Sequence, residues 1–166
     1  MLLDCCFLLL ECFLEESDFV MEPIDKRITD FVKKHHLLSL ATGNGIDIWC
    51  ASCFYVYDLE SNRFYFSTEN ETRHGRNLLT SANVAGTIAL ETLRVGLIQG
   101  VQFAGICYEP TAEELSKARS LYLKRFPIAR VLETHFWAMS PLILKMTHNQ
   151  LGFGKKLIWE TPSVER

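Results

Sequence analysis

A chain of 166 residues is long enough for one domain with a sizeable core, and its 48% hydrophobic and 22% charged content is that of a globular protein. The formal net charge of −3 lacks the basic excess of a nucleic-acid binder. The apolar run between Asp4 and Glu11 is six residues, far too short to cross a bilayer, so neither nucleic acid nor membrane is expected as a partner.

Residues 1–20 differ from everything after them. They hold three of the six cysteines (Cys5, Cys6, Cys12), five acids (Asp4, Glu11, Glu15, Glu16, Asp18) and no Lys or Arg. A secretory leader needs a basic start and an unbroken apolar centre, and this stretch has neither. Met21-Glu22-Pro23 reads as a natural beginning. Residues 1–20 are therefore expected to be an upstream extension of the reading frame or a loosely attached helix, and residues 21–166 a single domain. Without the extension the acids fall from 20 to 15 against 17 bases, a small excess that suits a phosphate-bearing ligand.

Ile24, Ile28, Phe31 and Val32 follow helical spacing, which predicts a helix over residues 23–35 closed by Lys33, Lys34 and His35. Leu37 to Ala41 is a short strand ending in the turn Thr42-Gly43-Asn44-Gly45. Ile46 to Tyr57 is a long β-prone segment, turned by residues 58–62 into the strand Arg63–Ser67. Cys50 and Cys53 lie three apart on that long segment. Such residues point to opposite faces of a strand and cannot converge on one metal, so Cys50, Cys53 and Cys107 are read as buried free thiols of a cytoplasmic protein. No metal site is expected.

Asn70 or Thr72 then caps a new helix that ends near Asn83 and carries Arg73, His74 and Arg76 at its start. First-turn N–H groups, hydroxyls and two arginines together suit a phosphate. Val84 to Leu90 is a further strand, and Gly96 to Tyr108 a longer one whose Gly100 and Gly105 signal a bulge or tight bend. Thr111-Ala112-Glu113-Glu114 is a capping box opening a helix to about Arg125, where Phe126-Pro127 breaks it before one more turn over Ile128–Leu132. Phe136 to Met146 reads as a strand in which Pro141 marks an edge or a bend, and Leu157-Ile158-Trp159 as a last one. Six or seven strands with helices between them predict an α+β protein built on a small closed or half-open barrel.

Other candidates carry less. His35 and His36 are adjacent at a helix end and do not face one point; His135 and His148 have no acid or thiol pattern around them. Gly152-Phe153-Gly154 lacks the third glycine of a dinucleotide fingerprint. Trp49, Trp137 and Trp159 are expected in the core or at a subunit interface.

The strings Trp49-Cys50-Ala51, Phe54-Tyr55, Thr72-Arg73-His74, Gly100-Val101-Gln102-Phe103, Arg125-Phe126-Pro127-Ile128-Ala129-Arg130 and Leu151-Gly152-Phe153-Gly154-Lys155-Lys156, in this order of elements, resemble the pyridoxamine 5′-phosphate oxidase-like FMN-binding split-barrel superfamily. Within it they resemble the uncharacterised YhbP-type branch, over about residues 21–160. The resemblance implies a six- to seven-stranded antiparallel split β-barrel with inserted helices, forming a homodimer with FMN at its interface. It assigns the phosphate to Thr72 and Arg73, with His74 where the family has lysine, and matches Thr68 to a cofactor-site hydroxyl at the end of the preceding strand. The strand beginning Cys50, Ala51, Ser52, Cys53 would run along the flavin, Gln102 would offer an amide to its ring, and Lys155 and Lys156 would either approach an anionic ligand or flank a tight turn. The Arg-x-His motif of the true oxidase is absent, so pyridoxamine phosphate oxidase activity is not expected. The implied function is FMN binding, and, if the protein is an enzyme, flavin-dependent oxidoreduction of a small substrate. The alternatives are a non-catalytic flavin- or haem-binding protein and a cofactor-free interaction module. No catalytic residue is identified from the sequence.

Overall fold

The computed structural model describes residues 23–43, 45–131, 135–152 and 154–162. The expectation for residues 1–20, Leu132 of the predicted extra turn and Phe153 of the glycine-rich string lie outside them. Three helices, α1 (Lys26–Lys34), α2 (Arg73–Thr80) and α3 (Ala112–Arg125), accompany seven strands: β1 (Leu37–Gly43), β2 (Ile48–Asp58), β3 (Arg63–Ser67), β4 (Asn83–Ala89), β5 (Gln99–Tyr108), β6 (Phe136–His148) and β7 (Lys156–Glu160). The strands form one antiparallel sheet in the order β3-β2-β1-β4-β5-β6-β7. A further β3–β6 pairing closes the first six into a barrel and leaves β7 outside the ring. This is the expected α+β split barrel.

Alternation along the strands fills the barrel. Leu38 and Leu40 of β1, Tyr55 of β2, Phe64 and Phe66 of β3, Ile88, Val101, Phe103, Leu144 and Met146 all belong to one buried cluster. Helix α1 joins the same cluster through Ile28, Phe31 and Val32, and the Tyr55 hydroxyl donates to the Val32 carbonyl at 2.7 Å. Asp25, not residue 23, begins this helix by accepting from the Arg27 backbone N–H. Its far end is held by Arg125, whose guanidinium donates to the carbonyls of Lys33, Lys34 and His35 at 2.8, 3.1 and 2.7 Å. Tyr65 faces the other way from Phe64 and Phe66 and is covered by α3, in a second cluster of Val56, Ala118, Tyr122, Ala129, Phe136 and Ala138. Both faces of β3 are thus covered, which is why its whole aromatic run is buried.

Two expectations about strands change. Pro141 does not mark an edge strand, because β6 has neighbours on both sides. It lies where one flank of β6 passes from β3, last paired at Met139, to β7, first paired at Ile143, and its missing N–H falls in that gap. The register shift opposite, between Ala104 and Gly105, is the bulge that Gly105 predicted. A Cβ on Gly105 would lie 2.4 Å from the Ser140 carbonyl oxygen. The second change concerns β2, which starts at Ile48 rather than Ile46: Ile46 and Asp47 belong to the hairpin loop behind Gly45, whose φ of 96° suits glycine.

Candidate functional site

Helix α2 starts where β3 runs out, and its first turn gathers four of the predicted residues. Thr72 is the N-cap: its hydroxyl accepts from the Gly75 backbone N–H at 3.1 Å and donates to the Glu69 carbonyl at 2.8 Å. Thr68 Oγ1 lies 3.2 Å from that hydroxyl and 2.5 Å from His74 Nε2. The turn is tight enough that a Cβ on Gly75 would come within 2.3 Å of the Glu69 carbonyl oxygen. Burial lowers the pKa of His74 below its ordinary value, so its ring is neutral at pH 7 and spends Nε2 on Thr68. Thr68, Thr72 and His74 therefore form one mutually bonded cluster.

Arg73 points away from that cluster. Its guanidinium lies over the Trp49 ring, 4.5 Å from the centroid, and donates to the Asp47 carboxylate. Arg76, one turn on, donates to the Glu71 carbonyl. Asn77 fixes α2 to the sheet through the Thr42 backbone oxygen and hydroxyl, at 3.4 and 3.2 Å, and Thr42 is the register partner of Trp49. The helix start and the Trp49 ledge are thereby held against each other. The positive charge of this corner rests on the two arginines and the helix N-terminus rather than on histidine.

The remaining candidates divide by face of the sheet. Cys53 and Ala51 lie on the barrel side of β2, Cys53 fully buried. Cys50 and Ser52 lie on the outer side and are exposed, so the expectation of three buried thiols fails at Cys50. It lies on the outer side of β2, away from the end that α3 covers at Val56. Burial pushes the Cys53 thiol up to about 11 and the Cys107 thiol higher still, so neither is a nucleophile at neutral pH. Trp137 and Trp159 are buried as expected, whereas Trp49 is 42% exposed beneath Arg73.

Pairing carries the outer face across five strands. Ser52, Ser39, Thr87, Gln102 and Lys145 are successive partners from β2 through β1, β4 and β5 to β6, forming one polar row. The neighbouring row on the same face is Cys50, Ala41, Ala85 and Ala104, all small. Gln102 was expected from the sequence; Ser39, Thr87 and Lys145 were not, because only the register places them beside it. Lys145 is half-buried and has no ion-pair partner among the described residues. Lys155 and Lys156 are exposed at the start of β7, the strand that lies outside the ring. Among the described residues Arg73 pairs with Asp47 and lies over Trp49, and no hydrogen bond or ion pair joins it to either lysine. A separate cavity of about 250 Å³ beside α1, lined by Phe31, Lys34, His35, Gln99, Met146 and His148, contains none of the predicted residues. Among the described residues no group of three or more His, Cys, Asp or Glu side chains is placed to hold a metal ion. No helix among them is long and apolar enough to cross a membrane.

No protein-family model matches the sequence. The chain is 44% identical over 134 residues to a UPF0306 protein of Serratia proteamaculans, covering 81% of this chain and 93% of that protein. It is 42% identical over 132 residues to a UPF0306 protein of Yersinia pseudotuberculosis, covering 80% and 90%. Among solved structures it resembles a haem-binding protein from Mycobacterium smegmatis, with a TM-score of 0.67 and 18% identity over 82% of this chain and 58% of that one. The haem storage protein HutZ from Vibrio cholerae gives a TM-score of 0.58 and 16% identity over 71% and 89%. An FAD-binding protein from Mesorhizobium loti gives 0.61 and 9% over 72% and 91%. At these identities the solved structures share the fold.

Proposed function

The chain belongs to the UPF0306 family, and we propose that it is an FMN-binding protein acting as a flavin-dependent oxidoreductase on a small substrate. The observation that carries this reading is the Arg73 corner. A guanidinium seated on an aromatic ledge at a helix N-terminus matches a phosphate, and it adjoins a sheet whose outer face is lined by small and hydroxyl-bearing side chains. A flat face of Cys50, Ala41, Ala85 and Ala104 leaves room for a planar ring system, and Ser52, Thr87, Gln102 and Lys145 offer it polar contacts. The flavin supplies electron or hydride transfer when bound; the protein orients it and sets its electrostatics. Arg73 and Arg76, with the first-turn N–H groups of α2, hold the phosphate, while Thr72 and the Thr68–His74 pair shape the turn that presents them.

The test is a pair of titrations. Arg73→Ala removes a charge-assisted contact of about 1.5–3 kcal/mol, so FMN affinity should fall by roughly one to two orders of magnitude. Riboflavin, which lacks the phosphate, should bind both proteins alike. Equal FMN affinity in the variant and the wild type would refute the phosphate assignment.

A second reading, haem binding, is favoured by one feature. His36 is exposed and stacked on the exposed Phe54 ring, 5.9 Å between centroids and 8° between planes, beside Leu37 at the apolar margin of the same sheet face. Haem added to the protein should then give a Soret band that shifts in His36→Ala; flavin bands in the purified protein and no haem uptake would set this reading aside.

A further inference from the structure

We propose that Asp47 is a positioning residue of the phosphate site: its carboxylate holds the Arg73 guanidinium and yields it to a phosphate-bearing ligand. The inference rests on the phosphate reading of Arg73 and extends it to a residue of the neighbouring hairpin.

Three features lead to it. Asp47 lies in the β1–β2 loop and Arg73 at the start of α2, 26 residues apart, yet their side chains are joined as an ion pair. The same guanidinium lies over the ring of Trp49, two residues beyond Asp47, so the hairpin supports it with an aromatic face as well as a carboxylate. Asn77 bonds to Thr42, the cross-strand partner of Trp49, which keeps α2 and the hairpin in this relation. Together these hold the arginine in place while it has no ligand.

Exposure sets the strength of the latch. The Arg73 and Asp47 side chains are 42% and 56% exposed, so water screens their attraction and the pair is of the weak surface kind. A dianionic phosphate brings twice the charge and three acceptor oxygens to the same guanidinium, and displaces the carboxylate. A singly charged anion from solution offers no more than Asp47 already supplies, and Asp47 is tethered. The carboxylate therefore lowers affinity by one common factor for every anion that must displace it, and leaves a ligand that makes no contact with Arg73 untouched. Trp49 stays beneath the guanidinium in either state.

The experiment uses the full chain, FMN and riboflavin. Asp47→Asn, at an exposed loop position, removes the competing charge and keeps the shape. It should tighten FMN by about two- to fivefold, the range of a surface ion pair, and leave riboflavin unchanged. In an Arg73→Ala background the same substitution should have no such effect on FMN, since the competition is for that guanidinium. FMN affinity that is unchanged or weaker in Asp47→Asn, in a protein whose FMN binding still depends on Arg73, would overturn the role of Asp47 and leave the phosphate reading standing. A wild type that binds riboflavin as tightly as FMN, with Arg73→Ala altering neither, would overturn both.

Discussion

Hydroxyl and imidazole groups at the start of a helix can serve the helix or a ligand, and at α2 they are bonded to one another and to the helix start. Thr72 spends its hydroxyl on Gly75 N–H and the Glu69 carbonyl, and His74 spends Nε2 on Thr68. The histidine has a stability signature of its own. Its folded-state pKa is depressed by burial, so between that value and the ordinary histidine value of about 6.5 the unfolded chain binds more protons than the folded one. Stability is therefore intact above about pH 6.5 and declines as pH falls through the window below it. His35 adds to the decline with the same sign, because burial first, and then Lys34, His36 and Arg125, lower its pKa. Thermal melting from pH 7.5 to 5 should show a smaller drop in His74→Gln than in the wild type, and a smaller one again when His35→Gln is added. Parallel curves for wild type and variants would mean that other groups govern the acid limb.

At the scale of elements, the barrel depends on a plug that one arginine holds. Helix α1 is nine residues long, too short to stand alone, and its last carbonyls go to Arg125. Arg125→Ala removes three charge-assisted bonds and a cation from the negative end of α1; the partly exposed setting argues for a loss of about 1–2 kcal/mol. A chain of this size should then melt roughly 2–8 °C lower, and Arg125→Lys should recover only part of that, since a single ammonium cannot reach three carbonyls as a planar fork does. A melting point unchanged by Arg125→Ala would show that the burial of Ile28, Phe31 and Val32 alone secures the plug. The Arg125-Phe126-Pro127 string was legible as a helix end, and the capping box at Thr111 and Glu114 and the strand Arg63–Ser67 stand where the residues placed them. Their causes are local. The purpose of Arg125 was not legible, because its partners are backbone carbonyls about 90 residues earlier and leave no side-chain pattern. The same limit hid Lys145 and Thr87: the polar row exists only once five strands are in register. It also hid the Arg73–Asp47 pair, which needs a hairpin loop and a helix start brought to one corner.

Beyond the part that α3 covers, the outer face of the sheet has a broad area without cover from the described residues. The outer side of β2, β1, β4, β5 and β6 bears small residues in its middle, with Leu37 at 45%, Phe54 at 52% and Ile158 at 58% exposure around them. We expect a second copy of the chain to lie on this face. Light scattering at micromolar concentration should return about twice 19.1 kDa for the full chain, and residues 21–166 alone should dimerise and melt within a few degrees of it. A stable dimer buries on the order of 800 Å² per partner, an area that a bulky charge at the centre of a flat contact readily spoils. Ser52 is suited to that test: it is exposed and small, and begins the polar row on the outer side of β2. Ser52→Arg projects a long cation away from the barrel, so the monomer fold should melt as before while the mass halves. If the flavin lies between the two copies, FMN binding should disappear with the dimer. A monomeric Ser52→Arg protein that still binds FMN with wild-type affinity would place the flavin within one copy, and a variant that remains dimeric would move the interface to another face.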